Sequence, residues 1–252
     1  MRFKTAFMYI SVCVLGCFSF LWAGESCAAI KVMVSIAPQE YFVRKIGAGL
    51  VVVLVMVPPG ASPATYEPKP RQMVAVAESA IYFAIGVPFE SAWLKRIIRM
   101  NPRMRVVHTE EGIEKLPMKA RLEYRQRRER RDLESSGGLR DPHVWLSPPL
   151  VIIQARNIMD AFCRVDPAHA QTYEANYRDF VEELVGLDLK IRKILMKRPR
   201  GFRFMVYHPS WGYFARAYGL EQVPIELEGK EPTIRELKSL IRFAKNNGIR
   251  II

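Results

Sequence analysis

Beyond residue 29 the chain alternates short, β-branched apolar runs with longer stretches whose apolar residues recur every three or four positions. Residues 30–36 and 51–57 are almost wholly apolar and of strand length, and residues 80–85 and 104–107 read the same way. Between them, residues 38–47, 70–79 and 91–99 carry helical spacing, punctuated by Pro58-Pro59-Gly60 and by other Pro and Gly residues. Strands that alternate with helices predict a parallel sheet covered on both faces, with the loops at the carboxyl ends of the strands facing a cleft.

Periodicity fails between 110 and 141 and resumes with a helix over residues 148–164. The longest periodic segment follows, over residues 167–197. Tyr173, Tyr177, Phe180, Leu184, Leu187, Ile191, Ile194 and Leu195 form its apolar stripe, and Pro167 and Pro199 bracket it. Thirty helical residues span about 45 Å, enough to brace two lobes. Strands are expected at 204–207, 223–227 and 249–252, with helices at 211–218 and 232–246. The expectation is an α/β fold of two βα lobes with parallel-type sheets joined by one long helix, the second lobe incomplete because the chain stops inside a strand at Ile252. Its divisions are a leader at 1–28, a first lobe at 29–166 with an exposed connection at about 112–140, a linking helix at 167–198 and a partial second lobe at 201–252.

Composition refines this picture at the ends. Arg2 and Lys4 precede an apolar run from about residue 6 to 23, and Ser26 and Ala28 have the spacing of a cleavage site, as in a secretory signal peptide. Export to the periplasm follows, with a retained anchor or a lipidated Cys17 as the lesser alternatives. Cys13, Cys17 and Cys27 lie in the leader and leave Cys163 alone, so no internal disulfide is expected. The formal charge is +13, and removing Arg2, Lys4 and Glu25 leaves +12. Much of the excess lies between 119 and 131, with seven basic residues and two Glu. That run reads as a solvated loop, because its single aromatic residue, Tyr124, does not make the interleaved aromatic series of a nucleic-acid platform.

Two histidines carry the candidate chemistry. They stand in the strings Asp141-Pro142-His143-Val144-Trp145-Leu146-Ser147-Pro148 and Tyr207-His208-Pro209-Ser210-Trp211-Gly212-Tyr213-Phe214-Ala215. Each adjoins a readable element, where a neutral imidazole can point into a cleft and bind a metal. With the segments around them, from about Ile30 onward, these strings resemble the zinc-binding solute receptors of ABC importers, the cluster A-I family of periplasmic binding proteins.

The resemblance implies an ion held between two lobes by a His after the second strand, a His in the Asp-Pro-His string, a donor early in the second lobe and a carboxylate near the end. His143 and His208 fill the second and third positions. A His at the third favours zinc over manganese, since harder cations prefer oxygen. In the first ligand loop, Pro58-Pro59-Gly60-Ala61-Ser62-Pro63-Ala64-Thr65-Tyr66-Glu67-Pro68, Ala64 stands where the His belongs. The carboxylate loop would lie beyond Ile252. Where such receptors carry a His- and acid-rich segment, this chain has the cationic run from Arg121 to Arg131. His108 and His169 are expected to be surface or capping residues, Glu67 to be a poor substitute donor and Glu228 to be structural.

The implied function is zinc capture and delivery to an ABC permease by a monomer, impaired here by the missing donors. The alternative is a metal-free secreted interaction protein, or a decayed fragment, that keeps the scaffold. No H-E-x-x-H helix, G-x-S-x-G turn, paired-carboxylate motif or glycine-rich phosphate loop appears, so an enzyme is not expected.

Overall fold

The computed structural model of the chain describes residues 29–118, 140–226 and 231–251. The leader, most of the Arg-rich connection and Glu228 lie outside the described residues. The first lobe is built on four parallel strands, β1 (Ile30–Ile36), β2 (Val51–Val57), β3 (Ile81–Ala84) and β4 (Arg105–His108), in the order β2-β1-β3-β4. Val32 lies opposite Val53 and Ile81, and Val34 opposite Val55 and Phe83. Because the chain crosses from β2 over β1 to β3, the order reverses beside β1, which opens a crevice at the carboxyl ends of the strands.

Helices α1 (Ala37–Gly47), α2 (Pro70–Ala77), α3 (Pro88–Met100), α4 (Pro148–Val165) and α5 (Ala170–Leu195) cover this sheet. Each of α1 to α4 has a proline in its first turn, where the missing N–H leaves no bond unmade. Pro88 starts α3 three residues before the position that apolar spacing alone predicts. Strand side chains alternate between two cores. Val32, Val34, Ile81 and Phe83 meet α1, α4 and α5, whereas Met33, Ile36, Tyr82 and Ala84 face the α2 and α3 side.

A 3₁₀ turn at Pro167–His169 leads into the 26-residue α5, about 39 Å long. Its first half belongs to the first lobe's core through Tyr173, Phe180 and Leu184. In its second half, Leu187 and Ile194 of the expected stripe are exposed. That half meets the second lobe through Tyr218, whose hydroxyl donates to Asp188 Oδ1 at 2.8 Å and whose ring lies under Arg192.

In the second lobe, β5 (Phe202–Val206) and β6 (Leu220–Pro224) pair in parallel, with α6 (Gly212–Tyr218) between them and α7 (Ile234–Asn246) after them. The strand expected at 223–227 begins three residues earlier. Gly219, in the left-handed conformation at φ 67°, ends α6 and turns the chain at once into register with β5. Residues 249–251 are not a strand, and Ile251 meets β5 through one bond from the Met205 N–H at 2.9 Å. Thr233 and Glu236 form a capping box on α7. No helix among the described residues is long and apolar enough to cross a membrane.

Candidate metal centre

Under the crevice, a buried polar frame ties together the ends of β1, β3 and β4. Gln39 donates to the carbonyls of Phe83 and Ala84 and to Thr109 Oγ1, each at 3.2 Å. Glu90 accepts from Ser35 Oγ at 2.6 Å and from the N–H groups of Ile85 and Gly86 at 2.9 and 2.8 Å. Burial lifts the Glu90 carboxyl above its ordinary range despite these bonds. Nearby, Lys115 donates to the Ile85 carbonyl at 3.0 Å, and burial lowers its pKa. These groups make a rigid floor rather than a cluster of donors.

His143 is held by its own string. Asp141 is buried, and its Oδ1 accepts both the His143 N–H at 2.9 Å and His143 Nδ1 at 2.7 Å. This Asx-type turn precedes the 3₁₀ turn Val144–Leu146, anchored by fully buried Val144. The imidazole leans on Trp145, with ring centroids 5.0 Å apart, and is 12% exposed. His208 stands two residues past the carboxyl end of β5, where its Nδ1 pairs with Glu226 Oε1 just after β6.

Each imidazole therefore spends Nδ1 on a carboxylate and turns Nε2 outward, the arrangement that fixes the neutral tautomer of a metal-ligating His. The two Nε2 atoms face each other at 3.3 Å, with ring planes 71° apart. Two nitrogens at about 2.0–2.1 Å from a tetrahedral zinc stand about 3.3–3.4 Å apart, so the pair fits such an ion. Without a proton or cation between them, two facing lone pairs repel.

Ala64 is exposed in the loop after β2 and carries only a backbone contact, its N–H donating to Ser62 Oγ at 3.3 Å. Glu67 is exposed. His108 ends β4 beside Glu110, and His169 pairs with Asp166 ahead of α5. Cys163 is half-buried against the first lobe's core. Among the described residues, no group of three or more His, Cys, Asp or Glu is arranged to hold a metal. Sequence reasoning missed the two orienting carboxylates. Asp141 carried a readable signal, an Asx turn two residues before a His, but Glu226 is joined to His208 only by the pairing of β5 with β6.

Residues 32–252 match the family described as zinc-uptake complex component A, periplasmic. The chain belongs to that family. Its members are metal-binding components of ABC importers and not enzymes. The high-affinity zinc uptake system protein ZnuA of Bacillus subtilis is 27% identical over 88% of this chain and 70% of its own length. The manganese-binding lipoprotein MntA of Halalkalibacterium halodurans is 28% identical over 91% of this chain and 72% of its own. A crystal structure of ZnuA superposes with a TM-score of 0.77 at 42% identity, covering 87% of this chain and 79% of that one. A zinc-bound deletion mutant of ZnuA gives 0.75 at 43% identity, covering 87% and 78%. The two-lobe α/β architecture is thus that of the ZnuA structures.

Proposed function

We propose that this chain captures zinc in the periplasm between His143 and His208 and presents it, as a monomer, to the permease of an ABC importer. The observation that carries the reading is the pair of Nε2 atoms 3.3 Å apart, each on a ring whose other nitrogen is held by a carboxylate. Imidazole nitrogen suits zinc better than manganese, which favours oxygen donors. Relatives named for zinc, manganese and iron leave the choice of ion to the donors.

The same donors set a limit. Two imidazoles complete only half of a four-coordinate shell, and Ala64 offers none. Ala64 leaves the loop after β2 without a side-chain donor, so the proposed affinity lies below that of a receptor with a His at that position, and release is correspondingly faster.

Titration of the purified chain with zinc and with manganese at neutral pH tests this reading. The expected result is weak zinc binding, weaker manganese binding and loss of both in His143→Ala and His208→Ala. A thermal melt with zinc and then chelator separates the reading from that of a metal-free interaction protein, because an ion that binds the folded state raises Tm and its removal reverses the rise. A melt indifferent to both would overturn the metal reading.

A further inference from the structure

The two histidines come from different lobes, and a tyrosine hydroxyl bonds across the same boundary. The stem of the Arg-rich connection is an antiparallel bridge between Pro117 and Arg140, continued by the Asp141 N–H donating to the Leu116 carbonyl at 2.8 Å. In a regular ladder the Leu116 N–H would return the bond to the Asp141 carbonyl. Here it donates to Tyr213 Oη at 3.0 Å, and Tyr213 Oη donates to the Asp141 carbonyl at 2.8 Å. A second-lobe side chain is thus inserted into a first-lobe backbone pair, and Tyr213 packs in the first lobe's core with Val144.

Both ends of this contact lead to the site. Asp141 gives its carbonyl to Tyr213 and its carboxylate to His143. Tyr213 follows His208 by five residues, and the segment between is fixed by buried Gln222. That amide accepts from the Trp211 N–H at 3.0 Å and reaches the Pro209 carbonyl at 3.5 Å. Gly212 completes the fit. A Cβ there would lie 2.7 Å from Asp141 Oδ2 and 3.3 Å from Gln222 Nε2, so the start of α6 is pressed onto the carboxylate that orients His143. A further interlobe ion pair, Arg216 with Glu114 at 3.1 Å, is exposed and screened, and fixes little.

We infer that Gly212 and Tyr213 form an interlobe clamp that holds His143 and His208 at ligating distance before any metal arrives. The inference deepens the proposed function and rests on it for its purpose, although the clamp itself belongs to the metal-free chain. Tyr213 is then a positioning residue that acts through Asp141, and no lobe swing is needed to assemble the pair.

Spin labels at Lys95→Cys in α3 and Lys245→Cys in α7, with the native cysteines replaced by Ser, report the interlobe distance in chelator-treated protein. The parent should give one narrow distribution. Tyr213→Phe, which keeps the buried ring and removes only the hydroxyl, should broaden it, as should Gly212→Ala, which keeps the hydroxyl and crowds Asp141. Zinc affinity should fall about 10-fold in Tyr213→Phe, the scale of one buried hydrogen-bond partner lost.

A distribution unchanged in both variants overturns the clamp. So does a loss of zinc affinity in Tyr213→Phe without any broadening, which would mean that Tyr213 supports His143 alone. Broadening in a chain whose parent binds no zinc upholds the clamp and rejects the metal reading, so the two failures are distinguishable.

Discussion

Glu226 gives a quantitative test of how the site works. It is the partner that fixes Nδ1 of His208, and Glu226→Ala removes that partner without touching a proposed ligand. Loss of an outer-shell partner of a metal-bound His typically costs about 10–100-fold in affinity, or about 1.4–2.7 kcal/mol. The His208 side chain is 46% exposed, so water can take over part of the hydrogen bond and the lower end, about 10-fold, is expected. Asp141→Ala should come nearer 100-fold, because Asp141 holds both the ring and the backbone N–H of a His that is only 12% exposed. Competition against a chromophoric zinc chelator measures both, with His208→Ala as the floor, and ¹⁵N NMR of the metal-free chain reads the His208 tautomer. If Glu226→Ala binds within 2-fold of the parent while His208→Ala abolishes binding, the orientation argument is wrong. Reversal of the order of Asp141 and Glu226 would refute the use made of exposure.

Ala64→His should raise zinc affinity if the loop after β2 supplies a ligand position, and titration alongside the parent checks it. Phe162→Ala should lower unfolding free energy by about 3–5 kcal/mol in urea, since the ring is fully buried and stacks on Tyr173 and edge-on to Phe83. Glu90 gives a pH signature. Its folded pKa is raised above the ordinary 4.5, so the native state holds the proton more tightly, and the linked stability is fully present below about 4.5 and is lost as pH rises through the raised value. The Tm of the metal-free chain should therefore carry a component that declines above pH 5, and Glu90→Gln should flatten that component.

The first lobe was largely legible because its strands are buried on both faces and its helices begin at prolines, two signals that survive in one dimension. The second lobe was less so. Val223 to Leu227 looks more strand-like than Leu220 to Pro224, yet the left-handed turn at Gly219 and pairing with Phe202 decide the register. Residues 249–251 have strand composition but only one bond to β5, and composition cannot supply a neighbour. At the proposed site, the strings around His143 and His208 single out two rings that the fold brings together. Glu226 and Tyr213 carry no such signal, because their roles depend on contacts across 18 and 72 positions of the chain. The Leu187 and Ile194 stripe looked like a continuation of the buried face, but the first lobe ends before it and leaves them exposed.

The long helix has a mechanical consequence. Its first two turns and middle are embedded among aromatic rings of one lobe, while the far end is only strapped to the other by a phenol and a guanidinium. A hinge-like opening would tear the embedded half out of its packing, whereas a small twist about the strapped end leaves that packing in place and strains the Tyr218 and Tyr213 contacts. If the proposed zinc binding holds, its off-rate should respond to changes at Tyr218 and Tyr213 far more than to stiffening of the rod itself.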